Sequence, residues 1–476
     1  MNPLRVDSNS AISPSLFRFL PRSGKLVLPM VCAVSAWLFF NSLGQAQEKA
    51  PPVASQPTPA VSELPFDRAE YMAAFEQVWQ KVRDIHWDSA LVESVWLPAR
   101  DKYLPRMEQA QSRAEAVRVL KDMLLELKQS HFEIIPAEVY SATEKAEAKG
   151  GEGRSGLTLR SVDDQLIVTK VAANSPASKA GVAVGWALQQ VELAGEEEPM
   201  TLARFHELAD KLCKVRGYRQ EFARGMLSEL FTSGQIDEEL KLTFLDNQDE
   251  QRNVSLKLEK GTGQPAKLGN LPLTYVNFEY RKLPDHVGYI QFNAFLDAPR
   301  LIKEYQAALL DEHNSAGVVI DIRGNMGGLI FLAMGMSGWF VDEPHSLGTM
   351  QTKANRMKLA INPRKPKFDK PVAVLVDECS VSCAELFPGG LQELKAARIF
   401  GSRTAGQVIP AQVVKLPTGD GFLHAIAGLE SASGYVWEGN GVQPDEPVAQ
   451  TRKLLQQDSD PVLTAALKWI ASQTDK

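Results

Sequence analysis

The sequence predicts an α/β core, a parallel-containing sheet with flanking helices, behind a helical N-terminal region. Three observations carry this. From Leu271 onward, short apolar runs alternate with amphipathic helical stretches. Runs such as "GVVIDI" and "VAVLV" are apolar almost throughout, as parallel strands buried on both faces are. Ahead of them, residues 66–129 repeat apolar positions three and four apart, the spacing of one helix face.

Taken in order, the first element lies outside the fold. Arg18, Arg22 and Lys25 precede the apolar run "LVLPMVCAVSAWLFF", and small residues follow in "NSLGQA". Basic region, short apolar run and small residues at a cut are the parts of an export signal, expected over 1–46, or of an uncleaved anchor. Residues 47–65, rich in Pro and Ala, read as a linker. The helical region spans 66–150. In it, Tyr71, Phe75, Val78, Trp79 and Val82 share a face, Ser112 is placed to cap a second helix, and "SHFEIIP" turns strand-like. "EKAEAKGGEG" (144–153) reads as a boundary. Next come two strands around the Asp163-Asp164 turn, a short helix ended by Gly181, another strand, helices over 201–233 and a closing hairpin. From 270 to 455 strands and helices alternate, and 456–476 carries a terminal helix.

At 476 residues the chain is expected to hold two or three domains. A net charge of −6 excludes an electrostatic argument for nucleic acid or for an anionic membrane surface. Beyond the export segment the cysteines are Cys213, Cys379 and Cys383, too few for a disulfide scaffold, and a Cys379–Cys383 bridge would strain its turn. No His/Cys spacing supports a metal site, and no cofactor is expected.

The chemistry concentrates in "ECSVSCAELFPGG" (378–390), between an apolar strand and a helix. α/β folds place reactive groups there, and free helix N-terminal amides can stabilise an oxyanion. "DIRGNMGG" (321–328) occupies the equivalent place one unit earlier, and its glycine pair lets backbone amides approach a ligand. A serine hydroxyl needs a neighbouring base, and none lies within the stretch.

"GYIQF", "VVIDIRGNMGG", "VAVLVDECSVSCAELFPGGLQELKAARIFGSRTAGQ" and "WEGNGVQPDEPV" together resemble the carboxyl-terminal processing (tail-specific) peptidases and their tricorn-core relatives. "LIVTKVAANSPASKAGVAVGWALQQV" resembles the PDZ domain those enzymes carry, here over 152–262. The resemblance covers about residues 70–450 and implies a ClpP/crotonase-like core with an inserted PDZ domain. It makes Ser382 the nucleophile, with no catalytic role for Ser380. The amide of Cys383 and one from Gly327 or Gly328 would form the oxyanion hole. Met326 stands where the family usually has proline. The Ser/Lys branch places its lysine where this chain has Gln407, which cannot serve as a general base. Lys395 and Lys415 lie at other offsets. The tricorn-like branch uses histidine and glutamate instead. That makes His131, in "QSHFEI", the base and Glu438, in "YVWEGNG", its orienting carboxylate, with His424 and Glu430 as rivals. Asp321 and Arg323 read as a structural pair, and His86 as a packing residue.

The resemblance therefore implies an exported serine endopeptidase, periplasmic or extracellular, acting on protein or peptide substrates. Gly156, Leu157, Thr158 and Leu159 would line a PDZ loop for substrate C-terminal carboxylates, although Trp186 departs from the family pattern nearby. Nucleic acid is not an expected partner, and membrane is one only if the N-terminal segment stays uncleaved. Two other readings remain at this point: a non-catalytic peptide binder, which Gln407 favours, and a Ser/Lys peptidase with a relocated lysine.

Overall fold

Asp67 starts the first helix, its Oδ1 accepting the Ala69 amide at 2.8 Å. The computed structural model describes residues 66–192, 198–457 and 460–474. The expected export segment (1–46) and linker (47–65) lie outside the described residues. Helix α1 (Arg68–Ile85) buries Tyr71, Phe75, Val78 and Val82 against α2 (Leu97–Gln109) and α3 (Arg113–Leu125). Trp79 sits at the margin of that face, its indole N–H on the Trp96 carbonyl at 3.2 Å. Ser112 caps α3 as expected, its Oγ accepting from the Glu115 amide. Strand β1 (Glu133–Ile135) follows, then α4 (Ala137–Ala148). The boundary expected over 144–153 thus begins inside a helix. "EKAEA" is built of strong helix formers, and the break falls at Gly150 and Gly151, both at positive φ.

The middle of the chain is an antiparallel sheet in the order β2 (Leu157–Val162), β3 (Gln165–Val171), β4 (Ala187–Glu192), β5 (Glu239–Leu245) and β6 (Gln251–Lys257). Asp163 and Asp164 turn β2 into β3 with φ of 51° and 57°, the left-handed pair that a two-residue hairpin needs. Two helices pack on this sheet, α5 (Leu202–Arg216) and α6 (Gln220–Ser228). Their Phe205, Phe222 and Leu227 join Leu157, Leu159, Val168 and Phe244 in one apolar cluster. The sheet order leaves β2 at an edge.

The third unit is a six-stranded sheet. Strand β7 (Phe278–Leu283) runs antiparallel to β8 (Val287–Phe292). After α7 (Ala298–Asp311), β9 (Gly317–Asp321) pairs parallel to β8. Helix α8 (Ile330–Ser337), β10 (Val372–Val376), α9 (Cys383–Glu393) and β11 (Arg398–Gly401) continue the alternation. Strands β12 (Ala411–Lys415) and β13 (Gly421–Ala425) leave the sheet before β14 (Glu446–Pro447) closes it beside β11. Register places Ile290, Ile320, Val374 and Ile399 in one row across the parallel strands. That face packs under Leu301, Tyr305, Leu332, Phe387 and Leu391 of α7, α8 and α9. The other face, with Tyr289, Val319, Leu375 and Phe400, packs on Val462, Ala466 and Ile470 of α10 (Pro461–Thr474). Both faces are buried, which explains the near-continuous apolar runs.

The excursion of β12 and β13 has a purpose in the architecture. Strand β13 pairs with β1, Ile134 opposite Phe422, so the N-terminal region is stitched onto the far end of the chain. No described helix is long and apolar enough to cross a membrane.

Candidate active site

Ser382 closes the turn between β10 and α9 with φ 59° and ψ −117°, a conformation non-glycine residues rarely hold. His131 is another such residue, with φ 60° just before β1. Each costs about 1–3 kcal/mol, and strain of this kind concentrates where geometry serves function.

What holds Ser382 is a set of backbone bonds. Its N–H donates to the Gln407 carbonyl (2.9 Å) and to Glu385 Oε2 (3.2 Å). The preceding Val381 amide donates to the Asn325 carbonyl (2.9 Å), joining the serine turn to the glycine loop. Asn325 is fully buried. It donates from Nδ2 to the Phe292 carbonyl and accepts the Gly327 amide at Oδ1, both at 2.8 Å. Gly327 is needed sterically, because a Cβ there would come within 2.6 Å of Ser382 Cβ at φ +83°. With the Gly327 N–H committed to Asn325, that residue does not fit the oxyanion role expected of either glycine. Among the described hydrogen bonds the amides of Gly328 and Cys383 have no acceptor, and Gly328 is exposed. Cys383 Sγ donates to the Gly328 carbonyl (3.1 Å), and burial pushes its thiol up to about 12, so it stays a neutral donor. Among the described residues, Cys213, Cys379 and Cys383 form no disulfide. Met326, in place of the family's proline, keeps an amide that donates to the Asn293 carbonyl (3.1 Å).

The glutamate does not meet the histidine directly. Glu438 Oε1 accepts the Ser130 amide (3.0 Å) and Oε2 the Val408 amide (2.9 Å). The Ser130 hydroxyl lies 2.7 Å from His131 Nδ1, while the same residue's amide is the donor to Glu438. Ser130 is thus interposed between the two expected partners. A solvent-shielded setting pushes the His131 pKa down to about 4, so its ring is neutral at physiological pH. This reverses the upward shift that a directly paired carboxylate would produce. Burial raises the Glu438 pKa, against the pull of its amide donors.

These links converge on one short segment. Gln407 receives the Ser382 amide, and the next residue, Val408, donates to Glu438. The rivals are engaged elsewhere. Glu430 pairs with Arg356, and His424 lies on β13 with its Nε2 on Gln412. Lys415 sits over the Tyr140 ring, 3.0 Å from its centroid. His86 stacks on Trp87 and bonds Gln129, as a packing residue does. Asp321 and Arg323 form the expected pair (Nη2–Oδ2 2.6 Å), extended to Tyr289 and Asp460. Ser130, Asn325 and Glu385 were not anticipated. Only the position of Ser130 beside His131 and of Asn325 beside the glycine pair could have signalled them. Among the described residues no cluster of ligands could hold a metal ion.

The middle sheet touches the site at its β2 edge. Arg160 Nε pairs with Asp377 Oδ2 (2.9 Å), and Asp377 Oδ1 accepts the amides of Gly324 (2.8 Å) and Cys379 (3.0 Å). Gly225 of α6 packs against Cys379 Sγ. The expected carboxylate loop is therefore not open. Leu157 and Leu159 point into the core. The Leu157 amide donates to Ser155 Oγ (3.2 Å), and the Leu159 carbonyl accepts both Ser228 Oγ of α6 and Arg160 Nη1 at 2.9 Å. Gly156, at φ +82°, abuts Ser175, and Thr158 pairs with Lys170.

Residues 286–448 match Peptidase family S41, and residues 67–125 match the Tricorn protease C1 domain. A probable CtpA-like serine protease of Staphylococcus haemolyticus is 23% identical over 299 residues, which are 62% of this chain and 52% of that protein. The carboxyl-terminal-processing protease of Synechocystis is 23% identical over 379 residues, 79% of this chain and 80% of that one. This chain thus spans about half the length of the first relative. Among solved structures, the photosystem II D1 C-terminal processing protease aligns with TM-score 0.53 and 21% identity, covering 83% of this chain and 96% of that one. Mature CPAF complexed with lactacystin aligns with TM-score 0.52 and 13% identity, covering 85% and 98%. At these identities the structural likeness speaks to fold alone.

Proposed function

We propose that this chain, which belongs to peptidase family S41, is a serine endopeptidase working through Ser382, His131 and Glu438. Ser130 relays between the last two, and the Gly328 and Cys383 amides receive the oxyanion. The observation that carries this reading is the convergence of the serine turn and the Ser130–Glu438 pair on residues 405–408, with the glycine loop joined to that turn through the Val381 amide. In the mechanism, neutral His131 takes the Ser382 proton as Oγ attacks the scissile carbonyl. The oxyanion forms against two backbone N–H groups, which such sites use for about 3–4 kcal/mol each. The imidazolium then returns the proton to the leaving amine. The Ser130 hydroxyl accepts from Nδ1–H and donates to Glu438, so the carboxylate's charge reaches the ring through one hydroxyl. The testing experiment is labelling by a fluorophosphonate probe followed by peptide mapping. Adduct on Ser382, absent from the Ser382→Ala chain, is the expected result; a parent that takes up no probe sinks the assignment.

The same reading includes export, which rests on the residue pattern of 1–46, and capture of substrate C-termini by the middle sheet acting as a PDZ module. For that capture α6 must shift from the β2 edge, because the Leu159 carbonyl is already engaged. A full-length Ser382→Ala chain is expected to bind a peptide acid more tightly than its amide by calorimetric titration. Indistinguishable affinities remove the C-terminal recognition and leave the catalytic reading intact.

A further inference from the structure

Glu385 is fully buried at the third position of α9 and carries no role in the mechanism above. A glutamate there commonly closes a capping box with a single bond back to the amide of the capping residue just before the helix. Here that bond, from Ser382 N–H to Oε2, is the longest of four. Oε2 also accepts the Gln407 amide (2.8 Å), and Oε1 accepts the Gly406 amide (2.7 Å) and the Thr404 hydroxyl (2.6 Å). Thr404 Oγ1 accepts the Val442 amide (2.7 Å), four residues beyond Glu438. Three of four bonds therefore reach across to the segment that ties the nucleophile to the acid arm. A helix cap requires none of the three.

We propose that Glu385 is a positioning residue, whose carboxylate locks the Ser382 turn and the 404–408 segment into one register for catalysis. The proposal rests on the serine-peptidase reading. All four partners are N–H or O–H donors, so the site is shaped for the ionised carboxylate. Protonating one oxygen would set a proton against donors, and the register would loosen. Burial pushes the Glu385 pKa up to about 7, with the Glu438 carboxylate adding to the rise. Glu438 and, from the segment before α6, Arg219 are the charged groups that face it. The lock thus releases as pH falls through neutrality, well before His131 protonates.

The test compares the full-length parent with Glu385→Gln, whose amide nitrogen brings a donor among donors. Expected for the variant is a fluorophosphonate labelling rate and kcat lower by about 100-fold, the effect of roughly 1 Å of misplacement, with KM nearly unchanged. The parent's labelling should fall as pH drops through neutrality while its circular dichroism holds. In the variant the remaining acid limb should move to lower pH, toward His131. Parental labelling and kcat in Glu385→Gln, even with a lowered melting temperature, would mean a cap and nothing more. Should the variant not fold, the parent alone decides: labelling that stays flat from neutrality to well below it overturns the proposal. A limb that persists unshifted in Glu385→Gln assigns it to Glu438 and also overturns it. A parent that takes no probe at any pH fails at the earlier step, the serine-peptidase reading, and removes both.

Discussion

Ser382→Ala will lose peptide hydrolysis by on the order of 10⁴–10⁶-fold, the range seen when a catalytic serine is removed, and will fold as the parent does. The second half of this expectation comes from the bonds around the turn. The bonds that tie the turn to Gln407, Glu385 and Asn325 are made by the backbone of Ser382 and Val381, so alanine keeps them. Ser380 provides the contrast. Its hydroxyl donates to the Ile322 carbonyl (2.9 Å) and accepts the Asp377 amide (3.1 Å), and the side chain is fully buried. Ser380→Ala leaves the Asp377 amide without this acceptor at a cost of about 1–3 kcal/mol in stability, with the proposed nucleophile intact. Turnover and urea melts of both variants separate the two serines. Hydrolysis that survives in Ser382→Ala and disappears in Ser380→Ala would move the nucleophile.

His131→Ala should lower kcat nearly as far, and combining it with Ser382→Ala should add little, because members of a catalytic unit are not additive. The pH dependence carries its own sign. A histidine base acts when neutral, and burial holds its pKa down to about 4. Protonation of His131 therefore removes activity only at distinctly acid pH, below the loss attributed to Glu385. Two separated acid steps are expected in kcat/KM for the parent, and none that matters in His131→Ala, which should be inactive at every pH. A lysine base would produce the opposite picture, with activity rising only toward alkaline pH. Retention of more than about a hundredth of parental turnover in His131→Ala falls outside the range for a lost general base and rules the assignment out.

The parallel strands were legible because both of their faces are buried, which writes the apolar runs straight into the sequence. The helical face of α1 and the cap at Ser112 were legible for equally local reasons. The pairing of β1 with β13 was not, since "SHFEIIP" and "GFLHA" carry no mark of each other across nearly 300 residues. The same limit applies to the site. Ser382 and the glycine loop announce themselves by position after a strand, whereas Ser130 is an unremarkable hydroxyl until folding puts Glu438 beside it. Glu385 reads in sequence as an ordinary helix-cap glutamate, and only the three-dimensional path of residues 404–407 reveals its other partners. The cover over the β2 edge was not legible either: Ser228 of α6 donates to the Leu159 carbonyl, as edge strands demand cover, and nothing in the local sequence pairs the two.

The seam between β1 and β13 also bears on biosynthesis. The proposed base lies at residue 131 and the carboxylate proposed to anchor it at residue 438, and β1 finds its sheet partner only at residues 421–425. A ribosome must pass residue 438 before these parts can meet. Contacts so distant in sequence form late in folding. A partly made or still-unfolded chain would therefore have no cutting centre, and the proteolytic hazard would begin only once the last strands are in place.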